Sequence, residues 1–220
     1  MILKKISQAV IEGDVEGVKE MANQGLEEGI TPQQLLDDGV LAGMEVVGER
    51  FKNFDMYIPE VLKSARVMHT VMDILRPKLV SSDGGESSSS KGTVVLGTVE
   101  GDMHDIGKNL VSLMLEGAGF KVVDIGIDQS PKSFVEAVEK EKPQIVGMSA
   151  LLTTTAPKIG ETVEALKEAG VRDSVKIMAG GAVIDQAFVD ENGVDAYGPS
   201  ATAAMDIAQQ FVNEVKQNAS

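Results

Sequence analysis

The sequence predicts a two-domain α + α/β protein: a small N-terminal four-helix bundle, then a five-stranded parallel sheet with helices on both faces. Three observations carry this. Apolar residues before position 80 recur at helical spacing, short β-branched runs alternate with amphipathic helices after position 92, and a Ser/Gly stretch from Ser81 to Ser90 without any hydrophobic residue separates the two patterns. The expected boundaries are a helical domain at 1–80, a flexible Gly/Ser linker at 81–91 and an α/β domain at 92–220. A chain of 220 residues is long enough for two such cores.

The helical half is read in order. Helices are expected over 3–11 and 15–26, separated by Gly13-Asp14. In Thr31-Pro32-Gln33-Gln34 a capping threonine, a proline at the first helical position and a glutamine three residues after the cap mark the third start. Leu35, Leu36, Val40, Leu41, Met44, Val47 and Phe51 follow at helical spacing. The fourth helix is expected to start at Pro59, to carry Val61, Leu62, Ala65, Met68, Met72 and Leu75, and to end before Pro77. Four helices in so short a segment imply a bundle.

In the second half the strands are expected at 93–97, 122–125, 145–148, 175–178 and 194–197, with helices at about 105–118, 131–141, 156–169, 184–190 and 200–215. Five βα units in sequence mean a parallel sheet, since each crossover returns with the same hand. The common order for five strands is the flavodoxin-like 2-1-3-4-5. Its switch point lies between strands 1 and 3, so a ligand is expected over the loops that follow them.

Composition narrows the function. The net charge is −14 and aromatic residues make up only 4% of the chain, without tryptophan, so neither nucleic acid nor an anionic membrane is expected as a partner. No apolar run is long enough to span a bilayer, and Met1-Ile2-Leu3-Lys4-Lys5 is not followed by the apolar core of a signal peptide; a cytoplasmic protein is expected. There is no cysteine, which excludes disulfides, thiolate metal sites and cysteine nucleophiles. Any metal must come through histidine, carboxylate or a prosthetic group.

The loops at the expected switch point are chemically rich. Gly97 to Gly107 holds His104, one of two histidines in the chain, between Asp102 and Asp105, and 149–155 holds Ser149, Thr153, Thr154 and Thr155. Strand 4 ends in Gly180-Gly181, whose missing side chains admit a close approach to the backbone. Structural readings stand beside these: Asp102 and Asp105 could cap the next helix, the threonines could cap the helix near 156, and Gly180-Gly181 could be a tight turn. A histidine two residues from an aspartate can donate one ring N–H to the carboxylate and direct the other nitrogen at a metal or a proton. One histidine is too few for a bare transition metal, but enough for a metal held in a macrocycle.

Asp102-x-His104-x-x-Gly107, then Ser149-x-Leu151, then Gly180-Gly181 resemble the fingerprint of cobalamin-binding proteins that hold the corrinoid with its own lower base displaced. Val46-Val47-Gly48-Glu49-Arg50-Phe51 and the segment Met56-Tyr57-Ile58-Pro59-Glu60-Val61 are similar to the helical cap of cobalamin-dependent methionine synthase and of stand-alone corrinoid proteins of methyltransferase systems.

The resemblance implies a Rossmann-like cobalamin-binding domain carrying methylcobalamin or a related corrinoid in a base-off/His-on state. His104 would be the lower axial ligand of cobalt, Asp102 its hydrogen-bonded partner and Thr155 the third member of that relay, where methionine synthase has a serine. Met103, Asp105, Ile106 and Gly107 would complete the ligand loop. Ser149, Leu151 and Thr153 would line the channel for the nucleotide tail, Gly180 and Gly181 would let it lie against the backbone, and Phe51 and Ile58 would shield the upper face unless they are ordinary bundle core. The implied function is a methyl carrier, not itself an enzyme. It would accept a methyl group on cobalt(I) from a substrate-specific methyltransferase acting on a methylamine, a quaternary amine, methanol or a methoxyaromatic. A methylcorrinoid:acceptor methyltransferase serving tetrahydrofolate or a thiol such as coenzyme M would then remove it, with a reductive activator of cobalt(II) as third partner. The competing readings are a cobalamin sensor, a mutase subunit and a flavodoxin-like nucleotide or flavin binder.

Overall fold

The structure is a computed structural model that describes residues 1–80 and 90–218. The chain divides into two compact units, Met1–Ser90 with Gly117–Gly119, and Lys91–Glu116 with Phe120–Ser220. The linker expected at 81–91 falls for residues 81–89 outside the described residues.

In the first unit the described residues form α1 (Ile2–Glu12), α2 (Val15–Glu27), α3 (Pro32–Gln34), a π-helical segment (Leu35–Leu41), α4 (Ala42–Lys52) and α5 (Ile58–Val80). Because α3, the π-helical segment and α4 follow without a break, the unit has four helical rods, as the sequence predicts. Gly13 closes α1 in a left-handed conformation with φ 76°, and Asp14 caps α2 by accepting from the Gly17 N–H at 3.0 Å. The capping box at Thr31 is present: its hydroxyl accepts from the Gln34 N–H at 3.2 Å, and Gln34 Oε1 accepts from the Thr31 N–H at 3.2 Å. Ile6, Val10, Val18, Leu35, Val40, Val47, Val61, Val71 and Leu75 are fully buried in this unit.

Two local features differ from expectation. The segment Leu35–Leu41 is π-helical, with Leu35, Leu36 and Val40 buried as their spacing predicts; the wider turn itself leaves no mark in the apolar pattern. The last helix does not stop before Pro77 but runs through it to Val80. Pro77 sits in the final turn, where the ring removes one intrahelical bond and the residues beyond it have few left to lose.

The second unit contains β1 (Thr93–Val99), α6 (Ile106–Gly117), β2 (Lys121–Gln129), α7 (Pro131–Glu141), β3 (Ile145–Ser149), α8 (Pro157–Glu168), a 3-10 turn (Arg172–Ser174), β4 (Lys176–Gly180), α9 (Gln186–Glu191), β5 (Ala196–Tyr197) and α10 (Ala201–Asn218). The strands are parallel in the order β2-β1-β3-β4-β5, the order the sequence predicts. Val146 and Met148 of β3 and Ile177 and Ala179 of β4 alternate onto one face. There they pack with Phe134 and Val138 of α7 and Ile159, Val163 and Leu166 of α8. Ala204, Ala208 and Phe211 of α10 are buried against the other face, with Lys176 of β4 over the Phe211 ring. No helix among the described residues is long and apolar enough to cross a membrane.

β2 departs most from its expected span, running over nine residues instead of stopping at 125. Paired residues run from Thr93 to Val99 on β1 and from Lys121 to Gln129 on β2, six steps against eight, so β2 carries two extra residues at register shifts after Leu96 and after Gly97. Each bulge reverses the inside–outside alternation, which hides the continuation from a period-two reading.

Candidate functional site

The strand order brings the chemically rich loops together. Thr98 of β1 pairs with Ser149 of β3, which pairs with Gly180 of β4, so the loops leaving these three strands emerge side by side at the carboxyl edge of the sheet. This is the crevice that such a topology opens to a ligand.

Asp102 is the centre of the arrangement and is fully buried. Its Oδ1 accepts from His104 Nδ1 at 2.7 Å and from the His104 backbone N–H at 3.1 Å. Its Oδ2 accepts from the Leu151 backbone N–H at 2.7 Å and from the Thr155 hydroxyl at 2.8 Å. Burial pushes the carboxyl upward, but the Leu151 N–H, the His104 ring, the Thr155 hydroxyl and the His104 N–H together outweigh it and hold the group below the usual carboxylate range. An ionised carboxylate only accepts, so in the neutral imidazole the proton sits on Nδ1 and Nε2 keeps its lone pair. The His104 side chain is 52% exposed. The site therefore presents one oriented nitrogen donor to the crevice, backed by a negative charge.

Further contacts hold the loop from beneath. The Thr98 hydroxyl, without any exposure, donates to the His104 carbonyl at 3.0 Å. Asp128, near the bulged end of β2 and left-handed at φ 54°, accepts from the Gly101 N–H at 2.7 Å through Oδ1, while its own N–H donates to the Asp102 carbonyl at 3.1 Å. Lys108 in the first turns of α6 is buried, ion-paired with Asp124 of β2 and bonded to Asn109 Oδ1 at 2.9 Å. Sequence reasoning missed Thr98, Lys108, Asp124 and Asp128. The sequence predicts a strand ending at 97 and so puts Thr98 in the loop after it, whereas β1 runs on to Val99, and the two β2 carboxylates lie beside the bulges that break the strand pattern.

The other expected residues are placed as follows. Met103 and Ile106 are exposed on either side of His104, as is Leu152, which the sequence reading did not include. Asp105 accepts from the Asn109 N–H at 2.7 Å through its carbonyl, and Gly107 lies in the first turn of α6. Thr155 is buried and bonded to Asp102, and Ala156 caps α8 without a side-chain bond, so Thr155 is not the cap of that helix. Ser149 and Leu151 are half-buried and Thr153 is exposed. Gly180 and Gly181 are required by the chain itself. A Cβ on Gly181, at φ 133°, would lie 1.9 Å from the Ala150 carbonyl oxygen, and one on Gly180 would lie 2.5 Å from that of Gly198. The close approach that demands glycine here is by neighbouring backbone. Phe51, half-buried near the end of α4, and Ile58, exposed at the start of α5, belong to the first unit.

Among the described residues no three His, Cys, Asp or Glu side chains are grouped as a metal site. A single oriented imidazole nitrogen fits a metal whose remaining ligands are carried by a macrocycle, with the carboxylate behind it fixing tautomer and ring orientation.

Comparisons with known proteins agree with this donor set. Residues 92–208 match the family model described as the B12 binding domain, and residues 2–76 match a second model of the same description. The chain is 45% identical over 201 residues to trimethylamine corrinoid protein 1 of Methanosarcina acetivorans, covering 91% of this chain and 92% of that protein. It is 38% identical to dimethylamine corrinoid protein 1 of the same organism, covering 96% and 97%. Among solved structures, the methanol:cobalamin methyltransferase complex of Methanosarcina barkeri superposes with a TM-score of 0.88 at 33% identity, covering 96% of this chain and 80% of that one. A cobalamin-binding protein from Desulfitobacterium hafniense gives 0.74 at 32% identity, covering 95% and 98%.

Proposed function

This chain belongs to the B12-binding corrinoid proteins of methyltransferase systems, and on that premise we propose that it is a methyl carrier serving two partner enzymes. A substrate-specific methyltransferase loads it, a methylcorrinoid:acceptor methyltransferase working on tetrahydrofolate or a thiol such as coenzyme M unloads it, and a reductive activator restores it. The methyl donor in this proposal is a methylated amine, since the relatives at 42–45% identity carry trimethylamine in their names.

When bound, the corrinoid supplies the cobalt that takes up and releases the methyl group. His104 would hold the corrinoid's cobalt through Nε2, with Nδ1 kept on Asp102. Asp102 fixes the proton on Nδ1 and, with Thr155 on its other oxygen, sets how strongly the ring donates. Met103, Asp105, Ile106 and Gly107 carry this ligand loop. Ser149, Leu151 and Thr153 would receive the nucleotide tail beside Gly180 and Gly181, and the apolar Phe51 and Ile58 are the first unit's candidates for shielding the cofactor from water.

The observation that carries this reading is a half-exposed histidine whose Nδ1 is held at 2.7 Å by a buried, four-times hydrogen-bonded carboxylate, which leaves Nε2 as its donor atom. Electron paramagnetic resonance of the cobalt(II) form tests it. Nitrogen superhyperfine coupling is expected in the wild type and absent in His104→Ala, with the fold unchanged by circular dichroism. Coupling that survives in the variant would assign the axial position to another group.

A further inference from the structure

We propose that Thr98 is a positioning residue for His104, fixing the ligand loop by a route independent of Asp102. This rests on the reading of His104 as the axial ligand. The ring Nδ1 at 2.7 Å and the backbone N–H at 3.1 Å of His104 both end on one atom, Asp102 Oδ1. Two bonds to a single oxygen set the distance of the residue from that oxygen, yet they leave it free to pivot about the same point. The bond from Thr98 to the His104 carbonyl, 3.0 Å long and on the opposite side of the residue, removes that freedom.

Thr98 is well suited to be the reference for this position. It lies in β1, which pairs with β2 on one side and β3 on the other, and its own register partner is Ser149. Its side chain is fully buried, and a β-branched residue in a strand has little rotamer freedom. The hydroxyl therefore transmits the geometry of the central sheet to the main chain of His104. Asp128 clasps the preceding peptides, with bonds to the Gly101 N–H and the Asp102 carbonyl, so the loop meets the sheet on both sides of the ligand. A pivot of the loop moves Nε2 laterally, and a coordinate bond weakens steeply when its donor is displaced.

The test uses the full chain with hydroxocobalamin as probe. Thr98→Val keeps the shape and strand preference and removes only the hydroxyl, while Thr98→Ser keeps the hydroxyl and removes the methyl. Apoprotein thermal unfolding checks the fold, and Thr98→Ala is read in the same way where the valine variant does not fold. The expected result is a loss of affinity of about tenfold to a hundredfold, the range typical when a partner of a metal ligand is removed. With it, part of the cobalt(II) signal should lack nitrogen coupling in Thr98→Val, and Thr98→Ser should restore both. Wild-type affinity and a wild-type signal in the valine variant would overturn the proposal, as would failure of the serine variant to rescue. His104→Ala in parallel separates the two readings. Loss of coupling there beside an unaffected Thr98→Val overturns the Thr98 assignment alone, and coupling retained in His104→Ala overturns the ligand assignment first.

Discussion

Asp102 is where a single substitution should be felt most. Asp102→Ala leaves the Leu151 N–H without its acceptor, takes from the Thr155 hydroxyl one of its two acceptors, the other being the Leu152 carbonyl, and releases the His104 ring. At about 1–3 kcal/mol for each buried donor left unmade, urea unfolding of the apoprotein should show a loss of several kcal/mol. Asp102→Asn should also destabilise, because its amide nitrogen turns one acceptor into a donor that faces donors. The opposite sign is expected at Ser64, whose buried hydroxyl has no partner among the described residues. Ser64→Ala should raise the urea midpoint, with a gain of about 1 kcal/mol from removing an unpaired polar group. The Asp102 and His104 pairing was legible in the sequence because a spacing of two residues suffices to bring the groups together. The Leu151 donor was not, since a backbone N–H carries no residue signature; the sequence marks Leu151 by its side chain, and the bond from its main chain to Asp102 comes in addition.

At the scale of elements, caps and strand order followed from local chemistry, and the departures are places where packing overrides it. The capping box at Thr31 and the break at Gly13-Asp14 depend on a few neighbouring residues and were readable. The bulges of β2 shift the phase of its side chains, which a fixed period cannot follow, and the widened turn at Leu35–Leu41 is a change of hydrogen bonding that the apolar pattern does not record. One element-level contact is testable without touching the ligand loops. Arg172 donates to the Val175 carbonyl at 3.0 Å, to the Gly193 carbonyl at 2.9 Å and to Asp195 Oδ2 at 2.8 Å, and the same Asp195 oxygen accepts from the Ile177 N–H at 2.6 Å. The short strand β5 is thus anchored by a side chain from the turn before β4. Arg172→Ala should cost about 2–3 kcal/mol by thermal unfolding while leaving hydroxocobalamin affinity unchanged. An equal loss of affinity would tie this edge of the sheet to cofactor binding.

For the whole molecule, the carrier reading makes stability and reactivity depend on what is added. Hydroxocobalamin at a hundredfold excess over its dissociation constant should stabilise the fold by about 2.7 kcal/mol, seen as a rise in the unfolding midpoint. The reduced, loaded chain should take no methyl group from trimethylamine alone and should do so once a cognate methyltransferase is supplied, followed by absorbance. Saturable methylation without a partner would make it an enzyme in its own right. The irregularity of β2 has a further consequence at this scale. An open parallel sheet ends in two rows of unpaired peptide groups, and a long flat border of that kind is a template on which other chains add strands. Here one border is kinked by two extra residues and the other is only two residues long, Ala196–Tyr197. Neither presents a regular ladder on which a second copy of the chain could add a strand.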